Sequence, residues 1–360
     1  MEATALIPAA EAIPAPAWLF LILGLVFFTI HILLINVILG GSLITLFSRF
    51  FKSGNDHLDG RLHGALASKL PITFALAVNM GVAPLLFLQV IYGHLFYSSS
   101  VLMAFYWILV IPLLILAYYA AYIHIRKYDS APWLSRMSIA LTSIMVLYIG
   151  FAYVNNMTLM VQPERWIAYF ENRSGTILNL SDPTLIPRYL HFVVASVAIA
   201  GLFMALVWNS RHKKGVAGAD SKVKSSLLIF GYATIVQIVV GLWFLLAIPR
   251  DFMLNFMGGD MPATLIFLIG FLGGIGAVAT AFAGKLRPTL SMLLLTIVAM
   301  VITRAHLRDM YLEGKFSLSS LELSPQYGVM ILFFIILVIG LISIAYILKV
   351  AFKPKEGRAF

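Results

Sequence analysis

Four histidines lie within or close to the ends of long apolar segments of this sequence. They are His31, His94, His191 and His306. Ionisable side chains inside apolar membrane segments are rare and usually mark a functional site. A neutral imidazole nitrogen is a good ligand for iron, and helical bundles hold haem between histidines of different helices. These residues therefore predict haem ligation inside a helical protein.

The segment Pro187–Trp208 contains His191 near its start and is long enough to cross a bilayer. On a helix, Arg188 lies one turn before His191, and Ala195 and Ala198 lie one and two turns after it, all on one face. Such a small, flat face suits a porphyrin, with His191 on the iron and Arg188 reaching a propionate. The alternative is a histidine that hydrogen-bonds a neighbouring helix.

The sequence contains no cysteine. This absence excludes thiolate ligation, covalent haem attachment through a CxxCH motif and iron–sulfur clusters on this chain. Any metal must use histidine, methionine or oxygen ligands. Four histidines suffice for two bis-histidine irons, so we expect non-covalent haem b, with two haems per chain.

Composition identifies the environment of the chain. Hydrophobic residues make up 61% of the sequence and charged residues 11%, with a mean hydropathy of +0.96. This is too little polar surface for a soluble protein, so the sequence predicts a polytopic protein of the lipid bilayer. The net charge of +10 lies mainly in short loops between apolar segments, which indicates membrane topology and no nucleic-acid partner.

Nine apolar segments are each long enough to span a membrane. They fall at about 18–50, 70–97, 101–125, 134–156, 187–209, 225–248, 262–284, 288–304 and 327–352. No segment reads as a strand, and no repeat or linker divides the chain. We predict an all-α bundle of nine transmembrane helices that forms a single domain over residues 1–360.

Basic residues predict the orientation of this bundle. The first sixteen residues contain no Lys or Arg, so they do not form a cleavable signal peptide and are expected to stay outside. Eighteen of the 25 Lys and Arg residues then fall on the inner side, as the positive-inside rule requires. The C-terminus is inside, and the expected location is the inner (cytoplasmic) membrane of the cell.

This topology sorts the polar residues by depth. The four candidate ligands lie toward the outer side, with His31 deepest, whereas His57, His63, His124 and His212 fall near inner loops as solvated or interface histidines. All fifteen acids lie in tails, loops or helix ends. Without a mid-membrane carboxylate, proton pumping and ion-coupled transport are disfavoured.

Several segments resemble subunit I of the cytochrome bd quinol oxidases. IHILLINVILGG (Ile30–Gly41) is similar to the histidine-bearing segment of that family, and YLHFVVASVAIAGLF (Tyr189–Phe203) is the best match. NMGVAPLLFLQVIYG (Asn79–Gly93) and NNMTLMVQP (Asn155–Pro163) resemble two further family motifs. The resemblance implies a helical bundle in which His31 and His191 bind haem.

Departures from the family pattern imply a changed activity. Gln89 and Ala305 stand where the family has glutamates, and Leu268 lies near the position of its methionine haem ligand. The long quinol-binding loop is reduced to about Pro249–Met261. Loss of the glutamates argues against dioxygen reduction, and the additional His94 and His306 fit bis-histidine electron transfer.

The expected function is therefore electron transport by a b-type cytochrome subunit, from membrane quinol to an outer-face multihaem c-type cytochrome or another redox subunit. The long outer loops 157–186 and 305–326 would dock this partner. Candidate quinol-binding residues after the fourth helix are Gln162, Glu164, Arg165 and Trp166. Headgroup anchoring explains these four equally well. A reduced terminal oxidase and a haem-free scaffold or carrier remain alternatives.

Overall fold

Helices account for nearly all regular structure in the computed structural model, which describes residues 3–51 and 61–351. The nine long helices are α1 Ala17–Phe51, α2 Leu70–Leu102, α3 Ala104–Arg126, α4 Pro132–Met160, α5 Leu185–His212, α6 Ala219–Ala247, α7 Met261–Phe282, α8 Leu286–Leu312 and α9 Tyr327–Ala351. Helix α3 is interrupted at Leu109. The protein is thus an all-α polytopic membrane bundle, as predicted.

Eight of these helices, α1 to α8, are long and apolar enough to cross a membrane. Helix α9 coincides with the ninth predicted segment, but its side chains are described without a gap only over 327–343, which is shorter than a full span. Within this stretch nearly every side chain of α9 is exposed. The number of nine crossings and the orientation in the membrane therefore stay predictions.

Helix α8 continues beyond its predicted end at residue 304, to Leu312. Its last turns carry Arg304, His306 and Arg308, whose polarity lowers the local hydropathy although the helix continues. The apolar residues of these turns, Leu307 and Tyr311, are buried against the bundle. The outer loop predicted over 305–326 is accordingly shorter, because tertiary packing extends the helix past its apolar segment.

Helices α1 and α5 pack against each other, and each also packs against the helix that follows it, α2 and α6. The pairs α3–α4 and α7–α8 form the other large contacts. Gly40 lets α1 approach α5 so closely that a side-chain carbon there would overlap the Ser196 carbonyl. Small residues at a helix contact allow such approach inside a membrane.

One end of the bundle is defined by the N-terminal segment. Ile13 N–H donates to the Glu322 carbonyl at 2.8 Å, and Ser324 N–H donates to the Ile13 carbonyl at 2.9 Å. The segment therefore lies beside the loop between α8 and α9. We call this side the N-terminal end; it is the side that the basic-residue pattern predicts to be outside.

The opposite end contains a buried polar cluster around Tyr128. The Tyr128 hydroxyl lies 3.0 Å from His63 Nε2, and the Arg49 guanidinium stacks 3.9 Å above the Tyr128 ring and donates to its carbonyl. His124 Nδ1 lies 2.9 Å from both oxygens of Ser135. Burial raises the pKa of Tyr128, so its phenol stays protonated at neutral pH.

These contacts refine the interpretation of the four inner histidines. His63 and His124 are buried between helices and are interface residues, not solvated ones. His212 is exposed at the end of α5, as expected for a loop residue. His57 lies outside the described residues. His63 and His124 are not ligand candidates, because their rings already make hydrogen bonds that hold this end of the bundle together.

Candidate functional site

His31 lies in the middle part of α1 with its ring against α2. Its Nδ1 is 3.0 Å from the Ala77 carbonyl oxygen. Because a carbonyl only accepts, Nδ1 carries the proton and Nε2 keeps a free lone pair. A hydrogen bond from one ring nitrogen to a backbone carbonyl is the usual device that orients a metal-binding histidine. The same bond also fits a histidine that merely joins two helices.

His191 lies in the second turn of α5 with its ring against α6. A side-chain carbon at Gly241 would lie 2.9 Å from its Cε1, and the Phe244 ring centre is 6.3 Å away. The Nδ1 atom is buried and has no hydrogen-bond partner in the described part of the protein. Gln237 Oε1, on the same stretch of α6, is also buried and unpartnered.

Arg188, one turn before His191, has little compensation for its charge. Its guanidinium lies 5.1 Å from the Phe244 ring centre and makes one long hydrogen bond, 3.4 Å, to Thr184 Oγ1. Its Nε is buried and has no hydrogen-bond partner among the residues that the structure describes. Asp182 is near enough to influence Arg188 but forms no ion pair with it.

Two arginines of α8, Arg304 and Arg308, point to the same region. Arg304 stacks on Phe28 of α1 at 4.9 Å, and Arg308 stacks on Tyr92 of α2 at 4.3 Å. The Arg304 charge is close enough to Arg188 and Arg308 to be repelled by both. Among the described residues, Arg308 alone of these arginines pairs with an acid, Asp309 at 3.4 Å.

Arg188, His191 and Arg304 lie in one region of the bundle. Arg188 and His191 are one turn apart on α5, and Arg304 of α8 is near enough to Arg188 for the two charges to repel each other. Arg188 and His191 are half-buried, whereas Arg304 is exposed. We call these three residues the arginine cluster.

Sequence reasoning did not assign Arg304 and Arg308 to the site. Their spacing of four residues places them on one face of a helix, but the apolar segment ended at residue 304, so they were assigned to the loop side. The sequence feature that could have identified them is a pair of arginines with the spacing of neighbours on one helix face, followed by positions that are buried. Only the extension of α8 makes this signal meaningful.

Phe316 lies beside His94 and shares a cleft with His306. The His94 and Phe316 ring centres are 4.9 Å apart, and Phe316 and His306 both line a cleft of about 330 Å³ at the N-terminal end. The cleft is also lined by Asp260, Asp309, Met310, Glu313, Gly314 and Ser317. His306 thus borders an open acidic cleft and His94 packs on one of its lining residues, whereas His31 and His191 lie against neighbouring helices.

The four candidate quinol residues all make contacts within the protein. Gln162 donates to Asp182 at 2.8 Å, and Trp166 donates to the Leu159 carbonyl at 2.8 Å. Glu164 pairs with Lys315 at 2.9 Å, and Arg165 donates to Ser181 at 3.0 Å. These contacts hold the α4–α5 connection, and the quinol assignment stays a prediction.

Asp182 is the centre of this buried network. It accepts hydrogen bonds from Gln162, from the Thr184 backbone N–H at 2.7 Å and, at 3.4 Å, from Asn179. Asp182→Leu should destabilise the fold by about 3 kcal/mol, because buried donors lose a charged acceptor. Thermal unfolding in detergent measures this change. The control Asp220→Asn, in an exposed pair with Lys224, should have little effect, and equal stability of the two variants would contradict the network.

The donor set fits haem better than a free metal ion. Among the described residues, no group of three or more His, Cys, Asp or Glu side chains is arranged to hold an ion. A haem iron takes four ligands from the porphyrin and needs only one or two histidines from the protein. His31 and His191 would supply such ligands, and Arg188 and Arg304 would face propionates. The residues present therefore fit haem b.

Comparison of the sequence with protein-family models and with curated proteins gives no match. The fold alone therefore defines the class of the molecule. It is a multi-pass helical membrane protein with a polar, histidine-containing region at its N-terminal end.

Proposed function

We propose that this protein is a membrane-bound b-type cytochrome subunit that carries electrons from membrane quinol to a redox partner at the N-terminal end. The observation that carries the proposal is the arginine cluster, in which His191 lies one turn after Arg188, and Arg188 and Arg304 repel each other without an acid paired to either among the described residues. Uncompensated cations inside a membrane are costly, so an anionic ligand is expected there. Haem propionates would supply the anions, and the imidazole would supply an iron ligand.

Each residue would have a separate task in holding the haem. His31 and His191 would ligate iron, and Arg188 and Arg304 would neutralise propionates through charge-assisted hydrogen bonds. When bound, haem supplies reversible one-electron chemistry that no side chain of this protein offers. The aromatic rings of Phe28 and Phe244, which lie against Arg304 and Arg188, would pack beside the bound group.

Quinol is the proposed electron donor because it is the reductant soluble in the bilayer. Its oxidation releases protons, and the acids of the sequence all lie in tails, loops or helix ends. Without a carboxylate path across the bundle, those protons leave at the N-terminal end. The basic-residue pattern predicts that this end faces the outer side of the inner (cytoplasmic) membrane.

The acidic cleft that His306 lines is the proposed docking position for the partner. Its carboxylates, Asp260, Asp309 and Glu313, attract a protein with a basic surface around its redox centre. A multihaem c-type cytochrome with such a surface fits this chemistry. Docking there brings the partner to the histidine-bearing end of the bundle.

The proposal is tested by the pyridine haemochrome spectrum of the protein purified in detergent. We expect non-covalent haem b with a low-spin reduced spectrum and about two haems per chain. Quinol should reduce this haem, and the preparation should not consume oxygen. A preparation without a Soret band would refute the proposal, and rapid oxygen uptake with quinol would favour a reduced terminal oxidase.

A haem-free scaffold or carrier is the second candidate function. It is favoured by the His31–Ala77 hydrogen bond, which also serves a histidine that only joins α1 to α2. The haemochrome measurement separates the two candidates, because a scaffold contains no haem.

A further inference from the structure

The rings of His31 and His191 lie against glycines of the following long helix. A side-chain carbon at Gly81 would be 2.5 Å from His31 Cε1, and one at Gly241 would be 2.9 Å from His191 Cε1. Both separations are too short for real atoms, so any larger residue would displace the ring. Each histidine therefore occupies a niche that exists because its neighbour is glycine.

The backbone beside the two niches is also alike. Ala77, whose carbonyl bonds His31, lies four residues before Gly81. Gln237, whose backbone interacts with the His191 ring, lies four residues before Gly241. The second interaction is looser, since His191 Nδ1 has no partner within hydrogen-bond geometry. In both niches the ring faces a carbonyl and the glycine one turn later.

The two niches are separated by a constant distance along the sequence. His31 and His191, Ala77 and Gln237, and Gly81 and Gly241 are each 160 positions apart. A further contact keeps this spacing: a side-chain carbon at Gly41 would lie 3.2 Å from Leu70, and one at Gly201 would lie 3.0 Å from the Phe230 backbone. The helix pairs α1–α2 and α5–α6 thus meet at corresponding residues.

The residues of α1 and α5 are alike at the same spacing. His31, Asn36, Val37 and Gly41 correspond to His191, Ser196, Val197 and Gly201. Both series consist of a histidine, then a small polar residue followed by valine, then a glycine. Each of these helix pairs is followed by a helix hairpin, α3–α4 or α7–α8. The sequence alone does not reveal this correspondence, because few positions are identical and only their contacts show it.

We propose that helices α1–α4 and α5–α8 are an internal duplication, in which Gly81 and Gly241 are equivalent positioning residues. Each glycine holds one imidazole so that its Nε2 is available to a ligand. Helices α1 and α5, the first helix of each half, contact each other closely at Gly40 and Ser196. Each half then holds its own planar iron porphyrin, and His31 and His191 ligate different irons. This inference rests on the haem proposal.

The test compares Gly81→Ala, Gly241→Ala and the control Gly24→Ala in the purified protein. At Gly24 the added carbon would make an ordinary 3.7 Å contact with Phe87, so the control should keep normal haem content and spectra. Each niche variant should alter the low-spin electron paramagnetic resonance signal of one haem, a different one in each variant, or lower haem content by about half.

If Gly81→Ala alone fails to insert, a double variant that combines His31→Ala with Gly81→Ala keeps the test decisive. The overlapping ring is absent from the double variant, so its expression should equal that of His31→Ala alone. One haem should still be lost. Perturbation of the same haem by both niche variants, or spectra like those of Gly24→Ala, would refute the duplication of sites and leave the haem proposal intact. Absence of haem from the unmodified protein would refute both.

Discussion

His191→Ala is expected to remove one of two haems from the purified protein, or to convert it to a high-spin form, while the protein still inserts into the membrane. The imidazole contributes an iron ligand in the arginine cluster and little of the apolar surface that drives insertion of α5. Haem-to-protein ratio and the reduced-minus-oxidised spectrum measure the effect. The remaining haem should keep its low-spin spectrum, since His31 lies against a different helix.

The matched control is His124→Ala. His124 is fully buried, like a ligand, but its ring is held by Ser135 at the opposite end of the bundle. This substitution should lower thermal stability and leave haem content unchanged. If both variants lost haem equally, the loss would reflect general destabilisation. If His191→Ala retained two low-spin haems, His191 would not be a ligand.

Charge reversal in the acidic cleft should slow electron transfer to the partner by at least about tenfold at low salt. Asp309→Lys combined with Glu313→Lys replaces attraction of a basic partner with repulsion beside His306. The effect should diminish as ionic strength rises, because exposed charges are screened by salt. Stopped-flow oxidation of the quinol-reduced protein by its cytochrome partner measures the rate.

Asp220→Lys is the control for this experiment. Asp220 is an exposed acid paired with Lys224 at the other end of the bundle, so its reversal changes net charge without changing the cleft. Slowing by this control alone would place the partner at the opposite end and reverse the proposed sidedness. Cross-linking of a partner to Arg126–Arg136 or Arg211–Lys224 would do the same.

The amino-acid sequence by itself determined the class of the molecule and the approximate limits of its helices. Hydropathy is a local property, because each membrane segment must be apolar whatever it packs against. The same argument placed His94, His191 and His306 toward one end of the bundle and His31 deeper. Boundaries were wrong chiefly where polar residues continue a helix, as in the last turns of α8.

The tertiary structure alone decided what each polar side chain contacts. Gln162 and Trp166 look available in the sequence, yet their hydrogen bonds hold the α4–α5 connection. His31 meets Ala77, which is 46 residues away, and no local pattern specifies such a contact. The arginine cluster and the glycine niches arise for the same reason: they depend on which helices lie side by side, and that is set by packing between distant segments.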